Sequence, residues 1–298
     1  MQEIKFENII VQLILKSLSD EKKVSVSVLR LDRMHPIVSG NKWFKLKYYI
    51  EEAQYLNKER IISFGGAWSN HIVALACACS VNKLKAVGII RGEEPEVYSD
   101  TLKAAMGYGM ELLFLPRNDY QNKIIPFAIN ETTDSIIPEG GYGEKGVAGF
   151  STALDFCKKK EFTHFICAVG TGTMMAGIIN GVTDDQEVIG ISILKNNHNL
   201  FPAILKMLNA EDNLKQFKLI EEYHFGGYAK YTNELLSFMN SIYKESSVPS
   251  DFVYTGKLFY AVNDLLIKNY FPAGSKILAI HSGGLLGNNS LKKGTLKF

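Results

Sequence analysis

The sequence has few of the features that mark secreted, membrane-bound or metal-binding proteins. Only four of its 298 residues are cysteine, and no two of them form a Cys-x-x-Cys pair. We therefore expect buried free thiols in a reducing compartment and no zinc site. No apolar run approaches the roughly 20 residues of a membrane-spanning helix, and residues 1–5 lack the charged-then-apolar layout of a signal peptide. These absences predict a cytoplasmic protein without a membrane partner.

The charge balance is also small. The chain has 33 basic and 31 acidic side chains, which give a net charge of +2. This balance does not predict a strongly basic surface that could bind nucleic acid, and no run of like charges suggests an interaction tail. Hydrophobic residues make up 46% and charged residues 21%, as in ordinary globular proteins. The length is sufficient for one large core or two small ones.

Short apolar runs alternate with helical patterns along the whole chain. Strands are predicted over 24–32, 60–64, 85–90, 111–115, 162–169, 188–194 and 276–281. Helices are predicted from Lys42, Ser69 and Ser99, at about 119–129, after the loops 138–143 and 170–173, and at about 232–245 and 257–269. Because most strands are continuous apolar runs, the pattern predicts an α/β fold with open, mostly parallel twisted sheets flanked by helices.

Four glycine-rich turns stand at strand ends in the sequence. These turns are Gly65-Gly66, Gly140-Gly141, Gly170 to Thr173, and Gly283-Gly284. Ligands of parallel sheets bind beyond the carboxyl ends of the strands. Glycine lets the backbone approach a ligand closely, and a helix that starts after the turn points free N–H groups at it. The four turns together predict one polar, anionic ligand held by the main chain.

The loop Gly170-Thr171-Gly172-Thr173 is the clearest phosphate candidate, since it joins an apolar strand to a helix. A dinucleotide fingerprint needs a third glycine where this chain has Met175, and an acid after the next strand, where it has Lys195-Asn196-Asn197. The loop therefore suits a phosphate monoester better than a dinucleotide. A tight turn whose glycines serve packing remains the alternative.

Lys42 is the candidate nucleophile, because a Gly-containing turn at 39–41 leads directly into its helix. One apolar face of that helix is formed by Trp43, Leu46, Ile50 and Ala53. A lysine packed into a cleft beside the positive helix end would have a lowered pKa, and its neutral amine could attack a carbonyl. The alternative is a solvated surface lysine. An imine-forming lysine and a phosphate cradle without a nucleotide signature together suggest pyridoxal phosphate.

Four blocks of the sequence carry a family resemblance over nearly the whole chain. They are Gly40-Asn41-Lys42; Gly65 to His71; Thr171-Gly172-Thr173 with Ala176-Gly177; and Val253 to Lys257 with His281 to Gly284. The chain resembles the tryptophan-synthase-β-like (fold type II) pyridoxal-phosphate enzymes, and within them the D-cysteine desulfhydrase / 1-aminocyclopropane-1-carboxylate deaminase family. The resemblance implies two sheets, a large cofactor-binding domain (1–46 plus 153–298), an inserted small domain (47–152) and a homodimer.

The resemblance also implies a role for each matched residue. Lys42 would hold the cofactor covalently, release it to the substrate amine and then remove the α-proton. Main-chain N–H groups for the phosphate would come from Thr171, Gly172, Thr173 and Met174. The substrate carboxylate would bind at Ser69, Asn70 and His71. For Ser69, a plain helix N-cap is the alternative, and one position can do both.

The remaining matched residues surround the cofactor ring. The side chain of Asn70 would reach the 3-hydroxyl group, Tyr254 would flank the ring, and Tyr228 would face the substrate. Most tyrosines at such a spacing are merely packed, which is the alternative for Tyr228. The ring nitrogen would meet Ser282, with Thr255 nearby.

The side chain that would contact the pyridine nitrogen of the cofactor predicts which reaction the protein catalyses. The deaminase branch of the family has glutamate and leucine where this chain has Thr255 and Ser282, whereas the desulfhydrase branch has small hydroxyl residues at both positions. A hydroxyl group does not force the pyridine nitrogen to stay protonated, and a weaker electron sink favours loss of a β-leaving group. The pair therefore favours β-elimination from a D-amino acid such as D-cysteine. A cyclopropane-carboxylate deaminase and a non-catalytic α/β binding protein are the alternatives.

The sequence departs from the family pattern around the lysine. Ser39 stands where a glycine is common, and Trp43-Phe44 replace a Thr-Arg pair, which removes a cation near the site.

Overall fold

The strands form two sheets in the computed structural model, which describes residues 3–38, 40–130 and 132–298. The strands are Val11–Leu13 (β1), Ser25–Leu29 (β2), Arg60–Gly65 (β3), Lys85–Arg91 (β4), Glu111–Leu115 (β5), Asp134–Ile137 (β6), His164–Val169 (β7), Glu187–Ser192 (β8), Gln216–Ile220 (β9) and Lys276–Ile280 (β10). The larger sheet has the order β1-β2-β10-β7-β8-β9 and the smaller one β5-β4-β3-β6. Among the described strands, only β1 and β2 pair antiparallel. The predicted α/β class with two mostly parallel sheets is confirmed.

Helices cover both faces of each sheet. The α-helices of the described residues are Lys16–Lys22 (α1), Asn41–Tyr55 (α2), Asn70–Val81 (α3), Asp100–Gly107 (α4), Arg117–Gln121 (α5), Glu144–Ser151 (α6), Thr173–Gly181 (α7), Leu200–Leu205 (α8), Asn233–Ser246 (α9) and Thr255–Ile267 (α10). Along β7, Phe165 and Cys167 face one core while Ile166 and Ala168 face the other. Because both faces are buried, the strand reads as a continuous apolar run.

Helix α2 contacts the cores of both sheets. Its Leu46 and Ile50 pack into the core under the smaller sheet, whereas Phe44 packs into the core of the larger one. The helix begins against the loop after β10, where the N–H of Asn41 donates to the carbonyl of Ser282 over 3.2 Å. Gly40 has a φ of +67°, and a Cβ there would lie 2.0 Å from the same carbonyl oxygen. Only glycine permits this approach, which fixes the position of Lys42.

Two of the predicted elements differ most in length from those of the structure. The helix predicted over about 119–129 was wrong in extent, since α5 ends at Gln121. The chain leaves the helix at Lys123, which has a φ of +51°, and Pro126 then prevents its continuation. The strand predicted over 24–32 ends at Leu29 and is followed by a short 3₁₀ turn.

Other expectations concern thiols, metals and membranes. Cys77, Cys79 and Cys167 are buried free thiols as predicted, and Cys157 is a free thiol that is partly exposed. Among the described residues there is no cluster of side chains that could hold a metal ion. No helix in that part of the chain has the length and apolarity needed to cross a bilayer. Ser39 lies outside the described residues, and the domain borders stay a prediction.

Candidate active site

A cavity of about 720 Å³ lies beyond the carboxyl ends of β3, β7 and β10. The structure brings ten of the predicted site residues to its wall: Lys42, Ser69, Asn70, His71, Thr171, Gly172, Met174, Tyr228, Tyr254 and Ser282. The other two, Thr173 and Thr255, are fully buried behind the wall. Glycine-rich turns from both sheets therefore meet at one cavity, as the strand-end pattern predicts.

Lys42 is the second residue of α2 and lines the cavity. Its Nζ donates to Oδ1 of Asn41 over 2.7 Å. Burial lowers the pKa of this amine to about 8, and the charge of Asp251 opposes the shift. The sequence prediction attributed a lowered pKa to a cleft at the helix start; in the structure, loss of solvation is the main cause. A larger fraction of the amine is neutral near pH 7 than for an ordinary lysine.

The start of α7 offers unpaired backbone donors. Gly172 precedes the helix with a φ of +85°, and a Cβ there would lie 2.6 Å from Ile204. The N–H of Ala176 returns to the carbonyl of Gly172, but no described acceptor takes the N–H groups of Thr173 and Met174. These amides sit at the positive end of the helix dipole. The turn is thus a cradle for a small anion.

The start of α3 forms the opposite wall. Ser69 occupies the N-cap position, but its hydroxyl makes no capping hydrogen bond. Asn70 begins the helix, and its Nδ2 donates to the carbonyl of Gly284 over 3.3 Å. The Ser69 hydroxyl has no hydrogen-bond partner among the described residues and remains able to bind a ligand.

The His71 ring is held in one tautomer. Oγ of Ser63 donates to the carbonyl of Ile137 and must therefore accept from Nε2 of His71, at 2.8 Å. Nδ1 of His71 is then an acceptor, and it is buried without a partner among the described groups. Burial, together with the nearby amines of Lys42 and Lys45, holds the pKa of this imidazole well below its usual range. The ring is neutral, so a carboxylate here would bind the backbone N–H of His71.

Tyr254 and Tyr228 meet at the cavity from two different segments. Their ring centroids are 6.3 Å apart, with an edge-to-face angle of 73°. A Cβ at Gly170 would lie 3.3 Å from the Tyr254 ring, so the phosphate-cradle loop also packs against this tyrosine. Burial raises the pKa of Tyr254 well above its ordinary value. Partial loss of solvation, together with the charge of Asp251, also raises the pKa of the half-exposed Tyr228. Both phenols are therefore protonated at neutral pH.

Ser282 lines the cavity directly after β10, whereas Thr255 turns away from it. Oγ1 of Thr255 donates to the buried carboxylate of Asp251 over 2.7 Å. The same carboxylate accepts the N–H groups of Val253, Tyr254 and Thr255, so it caps the start of α10. Ser282 is thus the hydroxyl that faces the cavity.

The ionisable residues that the sequence prediction missed include Lys45 on the cavity wall and Asp251 behind it. Lys45 is 3% exposed, lines the cavity and makes no hydrogen bond to any described residue. Burial and the charge of Lys42 hold its pKa well below the usual lysine value. Its spacing of three residues from Lys42, on one helix face, was a usable signal. No sequence signal indicated that Asp251 is buried, because an acidic residue that precedes a helix is normally interpreted as an exposed N-cap.

Comparison with known proteins agrees with this geometry. A family model described as pyridoxal-phosphate dependent enzyme matches residues 13–283. A protein of Thermotoga maritima named putative 1-aminocyclopropane-1-carboxylate deaminase is 26% identical, with coverage of 92% of this chain and 93% of the relative. A bifunctional D-cysteine desulfhydrase/1-aminocyclopropane-1-carboxylate deaminase of Arabidopsis thaliana is also 26% identical, with coverage of 84% of this chain and 70% of the relative.

Solved structures show the same fold. A crystal structure of an ACC deaminase homologue superposes with a TM-score of 0.80 at 24% identity, and covers 94% of this chain and 90% of its own. An O-ureido-L-serine synthase gives a TM-score of 0.69 at 14% identity, with 99% and 97% covered. Since the family model spans most of the sequence, the chain belongs to the pyridoxal-phosphate dependent enzymes of fold type II and uses pyridoxal phosphate as its cofactor.

Proposed function

We propose that the chain is a lyase that acts on a D-amino acid, and that D-cysteine is its substrate. The C–S bond at the β-carbon breaks and the α-proton is removed. Hydrolysis of the resulting enamine then gives pyruvate and ammonia, with sulfide as the other product. The proposal rests on the cavity wall described above and on the family to which the chain belongs.

The residues present fit the cofactor. A partly desolvated lysine amine, a helix start with unpaired N–H groups and a second buried lysine lie on one wall. These groups suit an aldehyde and a phosphate ester on one small molecule. When bound, the cofactor supplies a sink for the electrons released at the substrate α-carbon.

The chain's own groups have distinct roles in this proposal. Lys42 holds the cofactor, and its amine then takes the α-proton. The amides and hydroxyl at the start of α3, from Ser69 to His71, bind the substrate carboxylate and orient the bond that breaks. The phenols of Tyr228 and Tyr254 stay protonated and can donate to the departing sulfur or to the substrate.

The pair Thr255 and Ser282 carries the choice of β-elimination. Ser282 presents a hydroxyl to the cavity, and Thr255 is occupied by the Asp251 carboxylate. The only carboxylate side chain on the described cavity wall is Glu139, which pairs with Lys123 at 2.7 Å. A hydroxyl beside the ring nitrogen leaves that nitrogen free to lose its proton. This favours prompt departure of a β-substituent.

A cyclopropane-carboxylate deaminase is the second candidate. It is favoured by the names of the relatives, which include three putative 1-aminocyclopropane-1-carboxylate deaminases of Pyrococcus species at 27–28% identity. The two reactions differ in their substrates and products: the cyclopropane gives 2-oxobutyrate, and D-cysteine gives pyruvate and sulfide.

The test is a product assay on the purified holoenzyme. D-cysteine, L-cysteine and 1-aminocyclopropane-1-carboxylate are supplied separately, and sulfide and both ketoacids are measured. We expect sulfide and pyruvate from D-cysteine in excess of every other product. If 2-oxobutyrate from the cyclopropane is formed faster than pyruvate from D-cysteine, the second candidate replaces the first.

Lys42→Ala tests whether Lys42 holds the cofactor. Lys47→Ala is the matched control, because Lys47 is on the same helix but away from the cavity. We expect Lys42→Ala to lose activity and the covalent cofactor colour, while Lys47→Ala keeps both. An active, fully coloured Lys42→Ala would end the assignment.

We further propose a small domain (47–152) inserted in the large one, and a homodimer. All four strands of the smaller sheet fall between Arg60 and Ile137, which supports the insertion. Sedimentation velocity of the holoenzyme tests the dimer, and a single monomer boundary at micromolar concentration would contradict it.

A further inference from the structure

The loop that carries Tyr228 consists of two consecutive tight turns between β9 and α9. The N–H of Gly227 donates to the carbonyl of His224 over 2.9 Å, and the N–H of Lys230 donates to the carbonyl of Gly227 over 3.2 Å. Tyr228 is a central residue of the second turn. It therefore depends on the shape of the loop for its position at the cavity.

This loop has an unfavourable backbone. Phe225 has a φ of +51° and Ala229 a φ of +54°, and Gly226 and Gly227 lie at +93° and +114°. Left-handed conformations are costly for residues with a side chain, so two of them in one short loop favour a restraint from outside the loop. Within the loop, the two turn hydrogen bonds and one from the N–H of Gly226 to Nδ1 of His224, at 2.8 Å, offset part of this cost.

Lys257 supplies such a restraint from beneath the loop. It is the third residue of α10, is fully buried and does not reach the cavity wall. Its Nζ donates to the carbonyl of His224 over 2.8 Å and to the carbonyl of Gly227 over 2.7 Å. These are the same two carbonyls that close the two turns.

A second contact fixes the other side of the loop. The ring of Phe225 packs edge-to-face on Tyr260 at 4.9 Å, and Tyr260 lies on α10 one turn after Lys257. The same helix begins at Thr255, next to Tyr254. Helix α10 therefore holds one of the two cavity tyrosines at its start and controls the loop of the other through Lys257.

We propose that Lys257 is a positioning residue, whose side-chain amine holds the carbonyls of His224 and Gly227 so that Tyr228 stays against Tyr254 at the cavity. The hold of Lys257 on the loop follows from these contacts alone. An effect of Lys257 on turnover depends on the proposed function. The two are tested by separate measurements.

The first measurement is hydrogen exchange of the whole chain, which needs no substrate. In Lys257→Met, an apolar side chain of similar length replaces the amine. Both carbonyls lose a donor, and we expect the hydrogen-exchange rate of peptides that span 224–230 to increase about tenfold.

The matched control is Lys215→Met. Nζ of Lys215 also donates to a backbone carbonyl, that of Ile179, at 2.9 Å, and it lies away from the cavity. The control leaves exchange at 224–230 unchanged. Unchanged protection there in Lys257→Met would overturn the proposal.

The second measurement is a double-mutant cycle on kcat/KM with the substrate that the product assay selects. We expect Lys257→Met to lower kcat/KM about tenfold when Tyr228 is present, and hardly at all in the Tyr228→Phe background. Equal losses in both backgrounds would show that Lys257 does not act through Tyr228, and would refute the positioning role. If D-cysteine is not the substrate, the same cycle is measured with the substrate that the product assay identifies, and its expected outcome is the same.

Lys257→Gln is the second variant, in case Lys257→Met does not fold. Its amide can donate to one of the two carbonyls, so we expect an exchange rate and a kcat/KM between those of the wild type and a protein without the donor. A Lys257→Gln protein that matches the wild type in both measurements, while Tyr228→Phe remains impaired, would also refute the proposal.

Discussion

Ser69 combines a helix-cap position with a free hydroxyl group. A serine that caps a helix through its side chain normally stabilises the protein by about 1 kcal/mol. Ser69 makes no such bond, whereas Oγ1 of Thr232 accepts from the N–H of Leu235 over 3.2 Å at the start of α9. The sequence prediction that Ser69 begins a helix is correct, but its side chain is available for a ligand.

We therefore predict opposite effects for two similar substitutions. Ser69→Ala should leave the free energy of unfolding within about 0.5 kcal/mol of the wild type and lower kcat/KM, because only a substrate contact is lost. Thr232→Ala should lower the free energy of unfolding by about 1 kcal/mol and leave kcat/KM unchanged. Urea denaturation and steady-state kinetics provide the two readouts. A Ser69→Ala protein with lowered stability and normal kinetics would contradict the role.

The pKa of Lys42 predicts how cofactor attachment depends on pH. Only the neutral amine attacks an aldehyde, and burial lowers the pKa of this lysine to about 8. When pyridoxal phosphate is added to apoprotein, the rate of attachment should rise with pH and level off above a midpoint near 8. Stopped-flow absorbance measures this rate. A free lysine derivative, with a pKa near 10.4, should still be rising at that pH. The same midpoint for both amines would rule out a perturbed Lys42.

At the scale of elements, the start of α2 depends on one glycine. The Cβ of an alanine at position 40 would lie 2.0 Å from the carbonyl oxygen of Ser282, and the φ of +67° is unfavourable for any side chain. Relief of this clash must separate the lysine helix from the loop after β10. That loop carries Ser282, so the clash acts on the site as well as on stability.

We predict that Gly40→Ala lowers the free energy of unfolding by more than about 2 kcal/mol and weakens cofactor binding. Gly107→Ala is the control, since Gly107 ends α4 with no atom within 4 Å of an added Cβ. There the alanine should stabilise the protein by about 0.5 kcal/mol, because it restricts the unfolded chain. Chemical denaturation compares the two. Equal stabilities for Gly40→Ala and the wild type would contradict the close approach.

Long apolar elements were predictable from the sequence, and short ones were not. Strands such as β4 and β7 are buried on both faces, so their composition alone identifies them. The three-residue β1 lies at the edge of a sheet with a partly exposed pattern, and it gives no comparable signal. The extent of α5 depends on a left-handed Lys123, which local sequence does not indicate. Such ends are determined by tertiary context.

At the scale of the whole molecule, the cavity is assembled from segments far apart in the chain. The glycine-rich turns could be recognised one by one, and the parallel-sheet rule predicted that they meet. The spacing of Lys45 from Lys42 on one helix face was a usable signal. The burial of the Asp251 cap could not be predicted, because an acid that precedes a helix is normally exposed. The loop with Tyr228 is a similar case. Its shape comes from a lysine about 30 residues later in the sequence.

Because both sheets contribute to the cavity wall, cofactor binding should stabilise the whole molecule. A ligand that binds only the folded chain adds about 2.7 kcal/mol at roughly 100 times its Kd, which for a chain of 298 residues corresponds to about 4 °C in Tm. We predict such a shift when pyridoxal phosphate is added to apoprotein.

Pyridoxal is the matched comparison, since it keeps the aldehyde but lacks the phosphate. It leaves the amides at the start of α7 and the buried amine of Lys45 without an anion. The increase in Tm with pyridoxal should therefore be less than about half of that with pyridoxal phosphate at the same concentration. Differential scanning fluorimetry of the apoprotein with each compound measures both shifts. Equal shifts from the two compounds would mean that these amides do not bind the phosphate, and the anion site would have to lie elsewhere on the cavity wall.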